Sequence, residues 1–328
     1  MPTLVQLPLL AIIPAAYVSA CGILSALLAY PLSCWMADVS AFHSLVSRGG
    51  LVLLVLGLFP LARRLGVNRH GLGLTSGRIL SRQIGVGLAL GCAMLILHIV
   101  ALLILEIRMP DPSALIHPYR LGKTMLQALG TGLIVAGIEE TVFRGVLFSL
   151  LRARGGLGFA TWTSGFYYSA LHFLRSDWEP GGAGPEWNSG FRVLADAGSH
   201  LFSAPLDSLL ALWVAGLFLA RIRTRFPLGL GYCIGIHAGW IFVIKSAKAL
   251  TDSAPPGAYS HWVGSYDGVI GYLAAVWMGL LTLGLFLGNH SNLRKDPGGH
   301  AYSGRLLPHR FQQSVGNSGS RRNPERKP

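Results

Sequence analysis

Long apolar runs, separated by short polar connectors that carry arginine, recur along most of the chain. Many approach or exceed the roughly 20 apolar residues that cross a bilayer as an α-helix. The pattern predicts eight spans, at about 4–30, 44–62, 83–107, 122–150, 157–174, 201–220, 226–247 and 267–289. The fourth offers a break into two helices near Gly137 or Gly145. A transmembrane β-barrel would show short alternating segments instead. The expected fold is all-α, a polytopic membrane helix bundle of about eight transmembrane helices. Residues 1–121 supply the N-terminal transmembrane helices and 122–289 a second transmembrane core. Residues 290–328, rich in Pro, Gly, Ser, Asn and Arg, read as a disordered basic tail.

Composition supports the membrane reading. Hydrophobic residues make up 52% of the chain and charged residues 12%, about half the charged fraction of a soluble domain. Mean hydropathy is +0.50. The N-terminus has neither a basic n-region nor an Ala-x-Ala cleavage site, so Leu4–Tyr30 reads as a retained span. The four cysteines show no CxxC spacing, and packing is their expected role.

The formal net charge of +13 lies between and after the apolar spans, without the aromatic-plus-basic pattern of an RNA binder. No nucleic-acid partner is expected. With the N-terminus in the cytoplasm, the inner connectors hold Arg63, Arg64, Arg69, Arg78, Arg82, Arg152, Arg154, Arg221, Arg223 and Arg225, besides the basic tail. The outer side holds fewer: Arg48, Arg108, Arg120, Lys123, Arg175, Arg192, Lys245 and Lys248. This bias places both termini in the cytoplasm. Short loops, the tail and the lack of a transit peptide suit a bacterial inner membrane. The outer loop 175–200, with its acids, Trp178 and Trp187, fits an extracytoplasmic position near the interface.

Against this background the fourth span is chemically costly. Glu139 and Glu140 stand side by side in it and Arg144 follows. Ionisable residues at membrane depth mark functional sites by default. At about 100° per residue, Glu140 and Arg144 differ by about 40° and Glu139 and Arg144 by about 140°. Glu140 is thus the expected ion-pair partner of Arg144, and Glu139 faces a cavity. His172 and His237 also lie in apolar spans. A Glu beside a His can activate water and later protonate a leaving amine, and a second His can hold a developing oxyanion. The same residue types build a catalytic zinc site, but HExxH is missing. A purely structural ion-pair cluster is the bland alternative, although buried pairs stabilise poorly. His98 reads as a packing or hydrogen-bonding residue, and Glu106 and Arg108 as side chains that snorkel from a span end. Gly231, Gly235 and Gly239 put a small-residue face on the seventh span, where a neighbouring backbone can approach. His237 lies about 200° from Gly235, away from that seam.

These residues resemble a known family. Glu139-Glu140-Thr-Val-Phe-Arg144 matches the EExxxR motif of the CPBP family, the CAAX-protease and bacteriocin-processing intramembrane proteases. Tyr168-Ser-Ala-Leu-His172 resembles its aromatic-x-x-x-His motif, and His237-Ala-Gly-Trp-Ile241 its last His motif. The resemblance covers about residues 122–247. It implies an eight-helix, glutamate-type, metal-independent endopeptidase without cofactor, its cavity open to the bilayer and cytosol. Glu139 and His172 would activate water, His237 would hold the oxyanion, and Glu140 with Arg144 would support the site. The implied partners are a membrane-associated or C-terminally anchored protein or peptide substrate and the lipid bilayer. Two positions depart from the family pattern. Tyr168 replaces the usual Phe, adding a hydroxyl. Ile241 stands where many members have Asn, so that Trp240, Tyr168 or His237 alone has to assist the oxyanion. A proton-coupled carrier built on the same polar cluster and a catalytically silent peptide-binding relative are the competing functions.

Overall fold

The computed structural model describes residues 6–35, 41–182 and 184–292. Its helices are α1 Gln6–Trp35, α2 Phe42–Arg64, the single turn α3 Arg69–Leu72, α4 Gly77–Ile104, α5 Pro118–Glu140, α6 Phe148–His172, α7 Ser189–Phe202, α8 Leu206–Arg225, α9 Leu230–Leu250 and α10 Tyr272–Asn292. A small antiparallel ribbon pairs β1 Arg108–Pro110 with β2 Thr251–Ser253. The start of the first predicted span and the basic tail beyond Asn292 lie outside the described residues.

The bundle is all-α apart from that ribbon, and the eight predicted spans all fall mainly on helix. Judged by length and apolarity alone, four helices among the described residues can cross a membrane: Leu7–Trp35, Phe42–Arg64, Arg69–Ile104 and Leu230–Leu250. They become five if the bent pair α7 and α8 is one span. Charge explains part of the difference from eight, and the apolar stretch of α10, Tyr272–Leu287, is shorter than the others. Arg120, Lys123, Glu139 and Glu140 sit on α5, and Asp207, Arg221, Arg223 and Arg225 on α8, so these helices are too charged to pass on composition.

Helix packing sorts the charges to two ends. Ser149 Oγ donates to Gly71 O (2.7 Å), Leu230 N to Gly73 O (3.2 Å) and Gln83 Nε2 to Leu228 O (3.0 Å). These bonds gather α3, the start of α4, the first turns of α6 and the α8–α9 connection at one arginine-rich end. The connections 104–118, 173–188 and 251–271 lie at the other end. Among the described residues, every Asp and Glu except Glu139 and Glu140 belongs to this second, acidic end.

The glycine face of α9 does what its spacing predicts. α4 runs alongside α9, and a Cβ on Gly235 would lie 2.2 Å from Ile84 O, while one on Gly91 would lie 2.2 Å from Ile236 O. Backbone meets backbone there, and only hydrogen fits. His237 emerges on another side of α9.

The fourth span does not break at Gly137 or Gly145. Between α5 and α6 the chain widens into a π-helix over Thr141–Leu147. Thr141 Oγ1 donates back to Gly137 O (2.6 Å), a side-chain bond that competes with the regular backbone ladder. The break comes later, at Gly156, whose φ of 83° is in the left-handed region. It separates the fourth and fifth predicted spans, and glycine adopts it without a Cβ penalty.

Part of the expected loop 175–200 is helical. Its apolar positions in α7 lie on one face, not in a continuous run, which hides them from a hydropathy reading. Val193 packs with Ala26, Ala29, Phe42 and Val46, and α7 meets α8 at 88°. Arg108 does not snorkel. It is buried, donating from Nε to Thr251 Oγ1 (2.6 Å) and from Nη1 to Gly268 O (3.2 Å), while Glu106 is exposed. His98 is a buried hydrogen-bonding residue, its Nε2 3.0 Å from Val269 O. Cys21 and Cys233 are buried and all four cysteines are free.

Candidate active site

α5, the π-helical turn, α6 and α9 bring Glu139, Glu140, Arg144, His172 and His237 together, as their spacing suggests. The cluster has an enclosed half and a half-open one. Glu140 and Arg144 are fully enclosed, and Arg144 Nη1 donates to Glu140 Oε1 at 3.0 Å. The same carboxylate oxygen lies 2.9 Å from His237 Nδ1. Arg144 also donates from Nη2 to Gly216 O on α8 (3.2 Å). That carbonyl is within reach because α6 and α8 touch closely, a Cβ on Gly216 falling 2.9 Å from Gly165 Cα. The guanidinium lies over Tyr168, 4.3 Å from the ring centroid, a cation–π contact between buried groups.

Glu139 and His172 form the half-open part, their side chains 27% and 21% exposed. Glu139 Oε2 lies 3.8 Å from His172 Nε2 and 4.0 Å from His237 Nε2. His172 Nδ1 lies 2.6 Å from the Tyr168 carbonyl and must donate to it. A neutral His172 therefore presents an Nε2 lone pair toward Glu139. His237 is fixed in the same way: Nδ1–H donates to the Glu140 carboxylate, leaving Nε2 as an acceptor. Tyr168 Oη, 3.3 Å from that nitrogen, is the matching donor.

Two imidazole lone pairs and a carboxylate oxygen converge at separations too long for direct hydrogen bonds. Glu139 Oε2 is buried and unpaired in the protein. A water between Glu139 and His172 would donate one hydrogen bond to each acceptor, and an oxygen lone pair would remain free to attack. Among the described residues no group of three or more His, Cys, Asp and Glu has metal-holding geometry.

The two departures resolve differently. The Tyr168 hydroxyl reaches His237. Ile241 packs instead on α5, its Cβ 3.5 Å from where a side chain on Gly132 would begin. Trp240 stacks near Phe218 (6.0 Å) and His237 (6.2 Å), its Nε1 buried without a partner.

Arg223, which the sequence places in an inner connector, is a neighbour of the site. It is buried and donates to Arg144 O (3.3 Å), Gly71 O (2.9 Å) and Pro227 O. It fastens the end of the π-helical turn to α3 and the α8–α9 connection. Helical spacing held the signal: Arg221 and Arg225 share a face, and Arg223 points about 160° away from each.

Residues 121–243 match a family model described as type II CAAX prenyl endopeptidase Rce1-like. The matched segment includes all three motifs and nearly coincides with the region of resemblance, so the resemblance to the CPBP family is borne out. α1 to α4 and α10 lie outside the match. No curated protein and no solved structure matches the chain.

Proposed function

We propose that this membrane protein is a glutamate-type intramembrane endopeptidase in which Glu139 and His172 activate the attacking water. The supporting observation is the pairing of the free, half-open Glu139 carboxylate with a His172 ring whose Nε2 is held as an acceptor. Glu139 accepts a proton from water as its oxygen bonds to the peptide carbon. The carbonyl π electrons move to oxygen, making an oxyanion. When the C–N bond breaks, the electron pair stays on nitrogen and the proton passes from Glu139 to the leaving amine. The two acceptors orient the water, and the low-dielectric surroundings strengthen the interactions with it.

His237 Nδ1–H is committed to Glu140, so the ring helps hold the oxyanion through Nε2, which accepts from Tyr168 in the resting site and takes a proton from solvent when substrate is bound. The Glu140 carboxylate stabilises the imidazolium, and Arg144 holds Glu140 in place. The substrate is a membrane-associated or C-terminally anchored protein in an inner-membrane setting, and the reaction needs no metal.

The test is cleavage of a fluorogenic peptide library by the purified protein in detergent, with Glu139→Gln as comparison. Gln keeps the shape and removes the base, so the variant should stay folded and inactive. Activity should survive phenanthroline. Full turnover in Glu139→Gln would eliminate the water-activation role. Loss on chelation with rescue by zinc would favour metal catalysis, and absence of all cleavage would leave a carrier or a silent peptide binder.

A further inference from the structure

The half-open and sealed parts of the cluster lie in different directions. Toward the arginine-rich end it is closed: Arg144 and Val146 are buried, and Arg223 ties the turn to Gly71 and Pro227. The half-open residues Glu139 and His172 adjoin the chain that runs to the acidic end. His172 ends α6, and the chain passes at once into the connection at that end. Phe173, the next residue, lies against Tyr266 at 5.1 Å between rings. Both line a cavity of about 180 Å³ with Arg175, His200, Ser203 and Ser265. Arg175, Ser203 and Ser265 are exposed at its rim. The Tyr266 phenol is raised above its ordinary pKa by burial first, then by Asp267, with Arg175 opposing and Glu139 adding to the rise. Its hydroxyl therefore feels both the rim and the candidate base.

The charges of the two ends say which side of the membrane each occupies. Counting the basic tail that follows α10 in sequence, the arginine-rich end carries more Lys and Arg than the acidic end. Such a difference puts the arginine-rich end in the cytoplasm. We infer that the candidate site is reached from the acidic end, outside the cytoplasm, through the cavity between Arg175, His200 and Tyr266. Its substrate is then a protein segment that has already crossed the bilayer, and the step that supplies it is a translocation. This reverses the cytosolic opening implied by the family resemblance. It uses the proposed site, but it concerns access and not cleavage, so the two proposals fail separately.

Single cysteines read by a membrane-impermeant thiol reagent test it, in right-side-out and inside-out vesicles of cells expressing the full chain. The four native cysteines set the background. Ser265→Cys and Arg175→Cys at the rim should label at least tenfold faster in right-side-out vesicles. Arg78→Cys, exposed at the opposite end, should show the reverse. Glu139→Cys should follow the rim positions and label with a small charged methanethiosulfonate from outside. Labelling of the rim from the cytoplasmic face overturns the orientation. Labelling of Glu139→Cys from the cytoplasmic face, or from neither face, overturns the route. Denatured samples confirm that each cysteine is present and reactive.

Discussion

The Tyr168 hydroxyl lies 3.3 Å from His237 Nε2, and because His237 Nδ1 serves Glu140, the hydroxyl is the donor of the pair. It is the atom that distinguishes this tyrosine from the phenylalanine usual in the family. An ordinary hydrogen bond contributes about 0.5–1.5 kcal/mol, which corresponds to roughly 2–10-fold in rate. Tyr168→Phe should lower peptide turnover by that factor with no loss of expression or thermal stability. An unchanged rate would make the hydroxyl a spectator.

Among the described residues, Arg144 and the His237 ring are the side chains that pair with the enclosed Glu140 carboxylate. Arg144→Met preserves much of the bulk but strands that charge. Removing one member of a buried pair costs about 3–5 kcal/mol. The variant should show a markedly lower melting temperature in detergent and no cleavage. The double variant Arg144→Met with Glu140→Gln should recover much of the stability and none of the activity. Thermal unfolding of the three proteins under identical conditions checks this.

Two neighbours on α9 should respond differently to truncation. His237→Ala removes a ring that touches Glu140 and Tyr168 and faces Glu139, and should nearly eliminate turnover. Ile241→Ala should change turnover modestly, because its contact is with the α5 backbone near Gly132. Rates on one substrate, with stability controlled, decide the matter. Near-native turnover in His237→Ala would reduce the third motif to a structural element.

The helix seam predicts a stability contrast between glycines. Gly235→Ala drives a methyl into the Ile84 carbonyl, whereas a Cβ on Gly137 meets nothing within 4 Å. Overpacking of this kind costs about 1–3 kcal/mol. Gly137→Ala should be neutral or gain up to about 1 kcal/mol of helix stability. Melting temperatures of the two variants should move in opposite directions or differ clearly. Equal values would remove the α4–α9 contact as a determinant of stability.

Features that depend on spacing were legible in the sequence. Helix periodicity paired Glu140 with Arg144, freed Glu139 and turned His237 away from the glycine face. Features that depend on long-range acceptors were not. Arg108 and Arg223 look like interfacial cations in sequence because their partners are carbonyls of Gly268, Gly71 and Arg144, and every residue has a carbonyl. The π-helical turn was hidden for a related reason: it lies inside a segment with ordinary helix composition, marked only by the Thr141 hydroxyl bond back to Gly137 O. α7 was lost because hydropathy averages over both faces of an amphipathic helix.

The four-residue spacing of Glu140 and Arg144 also matters while the protein is being made. A charge at the centre of an inserting helix costs about 2.5–3.5 kcal/mol on translocon scales. His237 is synthesised almost a hundred residues after Glu140, and the Gly216 carbonyl more than seventy after Arg144. During that interval the segment leaving the ribosome holds its own counter-charge. The pair can enter the membrane partly neutralised, and α8 and α9 later close around a unit that already exists. Glu139 has no such local partner, so the carboxylate proposed for catalysis is also the one whose insertion depends on protonation or on water.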